Sequence, residues 1–188
     1  MVIRGGTVVN AAEISKCDVG VKDGRIVALG ENLTAGAQEL DATGKYVMPG
    51  GIDSHCHIDQ RSSGGGRNSE TFESGTRSAA CGGTTTIICF AAQEKGELLT
   101  PVVEEYHDKA KQSCIDYSFH LIISDPSDEV MHEEVPKLIK AGHRSLKLFM
   151  TYPRNRLNDA EILRVLEVAK LNQALVCVHA ENHDAIMY

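Results

Sequence analysis

Short apolar runs alternate with amphipathic stretches of helical period from residue 48 to the end of the chain. The apolar runs start near residues 52, 84, 115, 145 and 174, about 30 residues apart. Four helical windows separate them: "SETFESGTRSAACGG", "PVVEEYHDKAKQS" with Pro101 in its first turn, "DEVMHEEVPKLIKAG", and "NDAEILRVLEVAKLN" with Asn158 as its cap. One strand and one helix per repeat predict parallel strands with helical crossovers. Because no G-x-G-x-x-G follows the first strand, a (β/α)8 barrel is favoured over a doubly wound sheet.

Residues 1–47 have a different pattern, with short alternating runs separated by turns. Asp23 and Gly24 stand between two such runs and predict a tight hairpin. We therefore predict part of a small β-sandwich domain over 1–47 and the first portion of the barrel over 48–188. A complete barrel takes about 250 residues, so about five of its eight units are expected here. The chain is expected to be the N-terminal part of a larger protein, or incomplete, and poorly soluble alone because its sheet edges are open.

The composition of the chain disfavours several classes of partner and location. The 188 residues are 42% hydrophobic and 24% charged, with a formal net charge of −7, which is typical of a globular protein and disfavours a nucleic-acid partner. The six cysteines include no C-x-x-C pair and are expected to be reduced thiols. The first residues contain no apolar signal-peptide core or small-residue cleavage site, and no apolar stretch has membrane-spanning length, so we expect a soluble, cytoplasmic protein with no membrane partner.

Two histidines follow the first barrel strand in "GGIDSHCHID". If the strand continued through them, His55 and His57 would project from the same face, as a chelating pair does. In such a barrel the carboxyl ends of the strands meet at one mouth, which should also receive Lys147, Tyr152 and His179. Neutral imidazoles at this position favour zinc or a similar divalent ion.

Several candidates have plainer interpretations. His107, His120, His132 and His143 are interpreted as surface or core residues, and "HAENH", which contains His183, is not the H-E-x-x-H of zinc proteases. The glycine-rich "RSSGGGRNSE" lacks the phosphate-binding pattern and is interpreted as a mobile loop over the mouth, while Cys56 and Cys177 are interpreted as packing thiols.

Lys147 leaves two possibilities open from its position alone. A buried lysine can react as a neutral amine with carbon dioxide to give a carbamate, or it can pair with a carboxylate.

The motifs "GKYVMPGGIDSHCHI", "CGGTTTII", "SLKLFMTY" and "VCVHAEN" occur in order along the whole chain. Together they resemble the amidohydrolase superfamily, and within it the dihydropyrimidinase and hydantoinase branch. The resemblance implies two divalent metal ions, usually zinc, with His55 and His57 on one ion, carboxylated Lys147 bridging both, and His179 on the second. The family pattern also needs a histidine from strand six and an aspartate from strand eight, which lie outside this chain, so these residues alone are expected to be inactive.

The implied reaction is hydrolysis of a cyclic ureide, a dihydropyrimidine or a hydantoin, to an N-carbamoyl amino acid. By similarity, Tyr152 is both a substrate-binding and a catalytic residue, because it donates a hydrogen bond to the developing oxyanion. Asp59 stands where dihydroorotases usually have an arginine, which argues against that activity, and allantoinases typically lack the tyrosine. Allantoinase and a non-catalytic, dihydropyrimidinase-related scaffold remain as alternatives, and homotetramers are common in this family.

Overall fold

A computed structural model describes residues 1–61 and 66–188 of the chain. The fold divides into two compact units, Met1–Gly50 and Gly51–Tyr188. The domain boundary after residue 47 stays a prediction.

The first unit contains seven short strands in two sheets. They are β1 (Val2–Arg4), β2 (Thr7–Val9), β3 (Ile14–Lys16), β4 (Asp18–Lys22), β5 (Arg25–Gly30), β6 (Glu39–Asp41) and β7 (Tyr46–Val47). One sheet has the order β5-β4-β1-β6 and the other β3-β2-β7. The predicted hairpin is present, because β4 and β5 pair antiparallel across Asp23 and Gly24, whose φ angles of 50° and 72° lie in the left-handed region.

The second unit contains five parallel strands and the helices between them. The strands are β8 (Gly51–Asp53), β9 (Thr84–Ala92), β10 (Asp116–Ile122), β11 (Ser145–Phe149) and β12 (Leu175–His179), in the order β12-β11-β10-β9-β8. The helices are α1 (Phe72–Cys81), α2 (Leu99–Ala110), α3 (Val135–Lys140), α4 (Asp159–Leu171) and α5 (His183–Met187), and a π-helical turn, Val130–Glu134, precedes α3. The βα alternation predicted from the sequence is therefore confirmed as a parallel sheet, and its closure into an eight-stranded barrel stays a prediction.

The start of α4 follows a signal in the sequence, whereas the start of α2 does not. Asn158 caps α4 as predicted, accepting a hydrogen bond from the amide of Glu161, whose side chain completes a capping box. In α2 the residue before the helix, Leu98, offers no side-chain cap. Its role is taken by the carboxylate of Glu134, which accepts hydrogen bonds from the amides of Leu99 at 2.6 Å and Thr100 at 3.0 Å.

Alternation along the parallel strands gives the sheet two different faces. One face carries the main core against the helices, and its buried strand residues include Ile87, Cys89, Phe119, Leu121, Leu146 and Leu148. The opposite face carries a separate, smaller apolar cluster of Phe90, Ala92 and Ile122, with Phe149 packed against it. This second face also bears Lys147 and His120, so the polar side chains of interest share it with aromatic rings.

Within the described residues, no helix is both long enough and apolar enough to cross a bilayer.

Candidate active site

A cleft of about 680 Å³ opens at the carboxyl ends of the strands. The last residues of β9, β10 and β11, which are Ala92, Ile122 and Phe149, form its floor, and His57 and Tyr152 are among the residues of its wall. Parallel strands place their ends at one edge of the sheet, so this is the mouth at which the sequence predicts the functional residues.

The predicted strand geometry of the histidine pair is wrong. Strand β8 ends at Asp53, because the Oδ1 atom of that aspartate accepts a hydrogen bond from the amide of His55 at 3.0 Å and turns the chain. Both histidines therefore lie in the segment after the strand. Their ring centres are nevertheless 5.5 Å apart, and each packs on Phe90, at 4.8 Å for His55 and 4.7 Å for His57.

The free nitrogen of His57 follows from its hydrogen bond. Its Nδ1 atom lies 2.6 Å from Oε1 of Gln60, and because a carbonyl oxygen only accepts, Nδ1 carries the proton. In a neutral ring this leaves the lone pair on Nε2. The Asn68 amide also donates to the backbone carbonyl of His57 at 2.8 Å, which ties the segment from both sides.

Lys147 is 6% exposed and lies on the inner face of β11. Its Nζ atom is 4.8 Å from the ring centre of Phe149 and 6.0 Å from that of Phe90. Among residues 1–61 and 66–188 no carboxylate pairs with Lys147. Burial lowers the pKa of its amine, since the charged form loses water without gaining a counter-ion.

The surroundings of His55, like those of Lys147, lower the pKa of the side chain. Burial, followed by the proximity of His57 and Lys147, lowers the pKa of His55. Each of these influences favours the neutral imidazole, which is the form that can donate a lone pair.

His179 and Tyr152 form a second group beside the first. His179 ends β12 opposite Phe149 in the register, and its ring lies 5.6 Å from that of Phe149 and 5.0 Å from that of Tyr152. Its Nε2 atom is directed at the carboxylate of Glu181. Tyr152 has a φ of 66°, an uncommon backbone conformation for a residue with a side chain, and is half-exposed in the cleft wall.

Lys147 lies between the two groups, because its Nζ atom is near both Phe90 and Phe149. The histidine pair packs on Phe90, and His179 packs on Phe149. The structure thus brings all five predicted site residues to one end of the sheet. Three or more His, Cys, Asp or Glu side chains poised around a single ion are not found in the described part of the chain.

The remaining histidines divide as follows. His132 is exposed, and His143 is buried with its Nε2 3.2 Å from that of His107, away from the cleft. The sequence predicts a plain surface or core residue for His120 as well, and the structure places it on the inner face beside the candidate site, with its ring centre 5.1 Å from that of Phe90.

The loop "RSSGGGRNSE" is only partly described, and residues 62–65 lie outside the described residues, so its predicted role as a mobile loop stays a prediction. Arg61 at its start lines the cleft and forms ion pairs with Glu97 at 3.1 Å and with Glu105 on α2 at 2.5 Å. These contacts tie the start of the loop to α2 and to the segment just before it, a feature that the sequence pattern did not indicate.

Comparison with known proteins places these features in a family. The profile of the amidohydrolase family matches residues 46–188. The chain belongs to the amidohydrolase family. The sequence motifs that resemble this family include His55, His57, Lys147 and His179. In this amidohydrolase chain those residues lie together at the strand ends of the parallel sheet.

Individual relatives are similar over the entire chain. The D-hydantoinase of Geobacillus stearothermophilus is 48% identical over 190 aligned residues, covering 99% of this chain and 40% of the relative. A solved D-hydantoinase structure superposes with a TM-score of 0.95 at 42% identity, covering 100% of this chain and 41% of that one. The dihydropyrimidinase of Brevibacillus agri gives a TM-score of 0.94 at 42% identity, with the same coverage of 100% and 41%. The chain therefore spans about two fifths of the length of the relatives it matches, and it lies in the hydantoinase and dihydropyrimidinase branch.

Proposed function

We propose that this chain is part of a metal-dependent cyclic amidohydrolase that opens 5,6-dihydropyrimidines or hydantoins to N-carbamoyl amino acids. The observation that carries the proposal is the buried Lys147 amine, which has no carboxylate partner among the described residues and lies between the histidine pair and His179. The similarity to D-hydantoinases and a dihydropyrimidinase over the whole chain supports the substrate class.

The residues present fit a two-metal site. His57 has its Nε2 lone pair free, and the surroundings of His55 favour its neutral form. Under this proposal His55 and His57 would hold one ion, His179 would hold a second, and carboxylated Lys147 would serve as a shared ligand. Zinc is the metal that this donor set most favours. When bound, two such ions polarise a carbonyl and lower the pKa of water near them.

Carboxylation of Lys147 is consistent with its environment. A neutral amine is the reactive form toward carbon dioxide, and burial lowers the pKa of this amine. The product is an anion, and among the described residues no carboxylate acts on the charge of Lys147.

The cleft is the substrate-binding site in this proposal. Its volume of about 680 Å³ lies within the range of small-molecule sites. We infer that the Tyr152 hydroxyl donates a hydrogen bond to the oxygen of the ring carbonyl as negative charge develops there. The half-exposed Tyr152 side chain in the cleft wall leaves that hydroxyl accessible to a substrate.

The remaining parts of the proposal concern the whole protein. A further histidine and an aspartate from the rest of an eight-stranded barrel would complete the ligand set. We also propose a cytoplasmic location, consistent with six free cysteines, and a homotetramer.

The test is hydrolysis of 5,6-dihydrouracil and of hydantoin by the full-length protein, as wild type and as His55→Ala. We expect wild-type turnover, and a loss in His55→Ala greater than about 100-fold, the upper end of the cost of losing an outer-shell partner of a metal. His132→Ala is the matched control, since His132 is exposed and is not among the residues that line the cleft.

Wild-type-like turnover in His55→Ala would overturn the assignment of that residue. If the wild type turned over neither ring, the enzymatic proposal itself would fail, and a non-catalytic scaffold would take its place.

A further inference from the structure

His120 stands out on the inner face of the sheet. It is 8% exposed, lies on β10, and is paired in register with Phe90 on β9. The same Phe90 ring also contacts the rings of His55 and His57. A histidine ring on an otherwise apolar cluster needs partners for both nitrogens.

Both nitrogens of His120 have partners on other elements. Nε2 lies 2.8 Å from the backbone carbonyl of Ser54, just after β8, and Nδ1 lies 2.5 Å from the hydroxyl of Ser145, the first residue of β11. Since a carbonyl only accepts, Nε2 donates, and in the neutral ring Nδ1 then accepts from the hydroxyl. The two contacts together specify one tautomer of His120.

The contact with Ser54 acts on a single peptide unit, Ser54–His55. Its carbonyl oxygen accepts from His120, and its N–H, on His55, donates to Oδ1 of Asp53 at 3.0 Å. Because a peptide unit is planar, holding both its oxygen and its N–H fixes its orientation, and with it the position of the His55 Cα from which the imidazole extends. This matters here because β8 has only three residues and ends before the histidines.

We propose that His120 is a positioning residue that orients the His55 peptide for metal binding; this inference rests on the proposed function. Its Nε2–H donates to the Ser54 carbonyl, which fixes the tautomer, and the hydroxyl of Ser145, two residues before Lys147, then donates to Nδ1. His120 thereby connects the segment with the histidine pair to the strand with the lysine.

The experiment measures zinc affinity of the full-length protein by competition with a chelator, together with kcat, KM and the thermal midpoint. His120→Leu removes both hydrogen bonds, whereas His120→Gln keeps an N–H donor near the position of Nε2. We expect His120→Leu to lose about 10- to 100-fold in zinc affinity, the usual cost of losing an outer-shell partner. We expect His120→Gln to recover most of the loss, and both variants to change kcat more than KM.

His143→Leu is the matched control, because His143 is also buried, at 9% exposure, but contacts His107 rather than the candidate site. It should change the thermal midpoint without changing zinc affinity. A folded His120→Leu with wild-type zinc affinity would overturn the inference. Equal losses in the Leu and Gln variants would also overturn it, because they would mean that the ring serves packing alone.

Ser145→Ala provides a second perturbation if His120→Leu does not fold. It removes only the hydroxyl donor to Nδ1 and should weaken zinc binding by less than His120→Leu is expected to, and an unchanged affinity would overturn the inference. The zinc-affinity measurements do not depend on turnover, so they remain decisive even if wild-type protein hydrolyses neither cyclic ureide, the result by which the proposed function fails.

Discussion

Replacement of Glu134 by alanine should destabilise the protein strongly. The side chain belongs to the turn before α3, yet its two oxygens accept hydrogen bonds from the first two amides of α2, at 2.6 and 3.0 Å. Glu134 is 7% exposed, so water cannot readily replace it. The segment just before α2 contains Gln93 and Glu94, which line the cleft, so this cap also holds part of the candidate site.

The magnitude follows from these two contacts. A hydrogen bond to a charged group contributes about 1.5–3 kcal/mol net, and a carboxylate at a helix N-terminus gains up to about 2 kcal/mol in a partly buried geometry. Since these contributions overlap, we expect Glu134→Ala to cost about 3–5 kcal/mol. Glu134→Gln keeps one acceptor oxygen and loses the charge, so its cost should be about 1–3 kcal/mol.

The assay is urea unfolding of the full-length protein followed by circular dichroism. Glu133→Ala is the matched control, because the Glu133 carboxylate is 66% exposed and its 3.8 Å contact with Lys137 is a surface ion pair, worth about 0–1 kcal/mol. A loss of less than about 1 kcal/mol in Glu134→Ala, or an equal loss in Glu133→Ala, would refute the reasoning.

Two further predictions concern titration and reactivity. Hydrogen bonding by the amide of Gly5, with a contribution from Arg4, lowers the pKa of Asp18 below 3.8, so its stabilisation is present above that pH and is lost as the pH falls through the lowered pKa. The urea midpoints of wild type and Asp18→Asn should therefore differ at about pH 7, and the difference should shrink as the pH falls below 3.8 through the lowered pKa; a difference that does not change with pH would contradict this. A hydrogen bond with Cys56 and burial raise the pKa of the buried Cys89 thiol, whereas Cys81 is exposed. Mass-spectrometric mapping after brief alkylation should therefore find Cys81 modified and Cys89 unmodified until the protein is unfolded. Equal modification of both thiols in the folded protein would contradict this.

Regular features of the second unit could be predicted from the sequence because they depend on local periodicity. Strands β9 and β11 and helix α4 follow directly from apolar runs and from the cap at Asn158. The Asp23–Gly24 hairpin is equally local, since it depends on the conformational preference of two residues.

The end of β8 was missed because a side chain, not the apolar pattern, terminates the strand. Asp53 accepts a hydrogen bond from the amide of His55, and an aspartate two residues before a candidate ligand is the signal that could have indicated such a turn. The pair still converges because both rings pack on Phe90, which lies 33 residues further along the chain than His57 and is brought there only by the tertiary fold.

Contacts between distant elements account for the rest. The pairing of His120 with Ser54 and Ser145 and the capping of α2 by Glu134 join segments that no local pattern relates. In sequence, His120 is a single histidine in the run "YSFHLII", which fits a plain core residue equally well.

The central claim, a two-metal hydrolytic site that includes Lys147, is tested most directly by metal content. The full-length protein, purified without added metal, should contain about two divalent ions per chain by elemental analysis. Lys147→Met, which keeps the length and apolar stem of the side chain, should remain folded and lose the ions. No stoichiometric metal in the wild type, or two ions retained in Lys147→Met, would contradict the account.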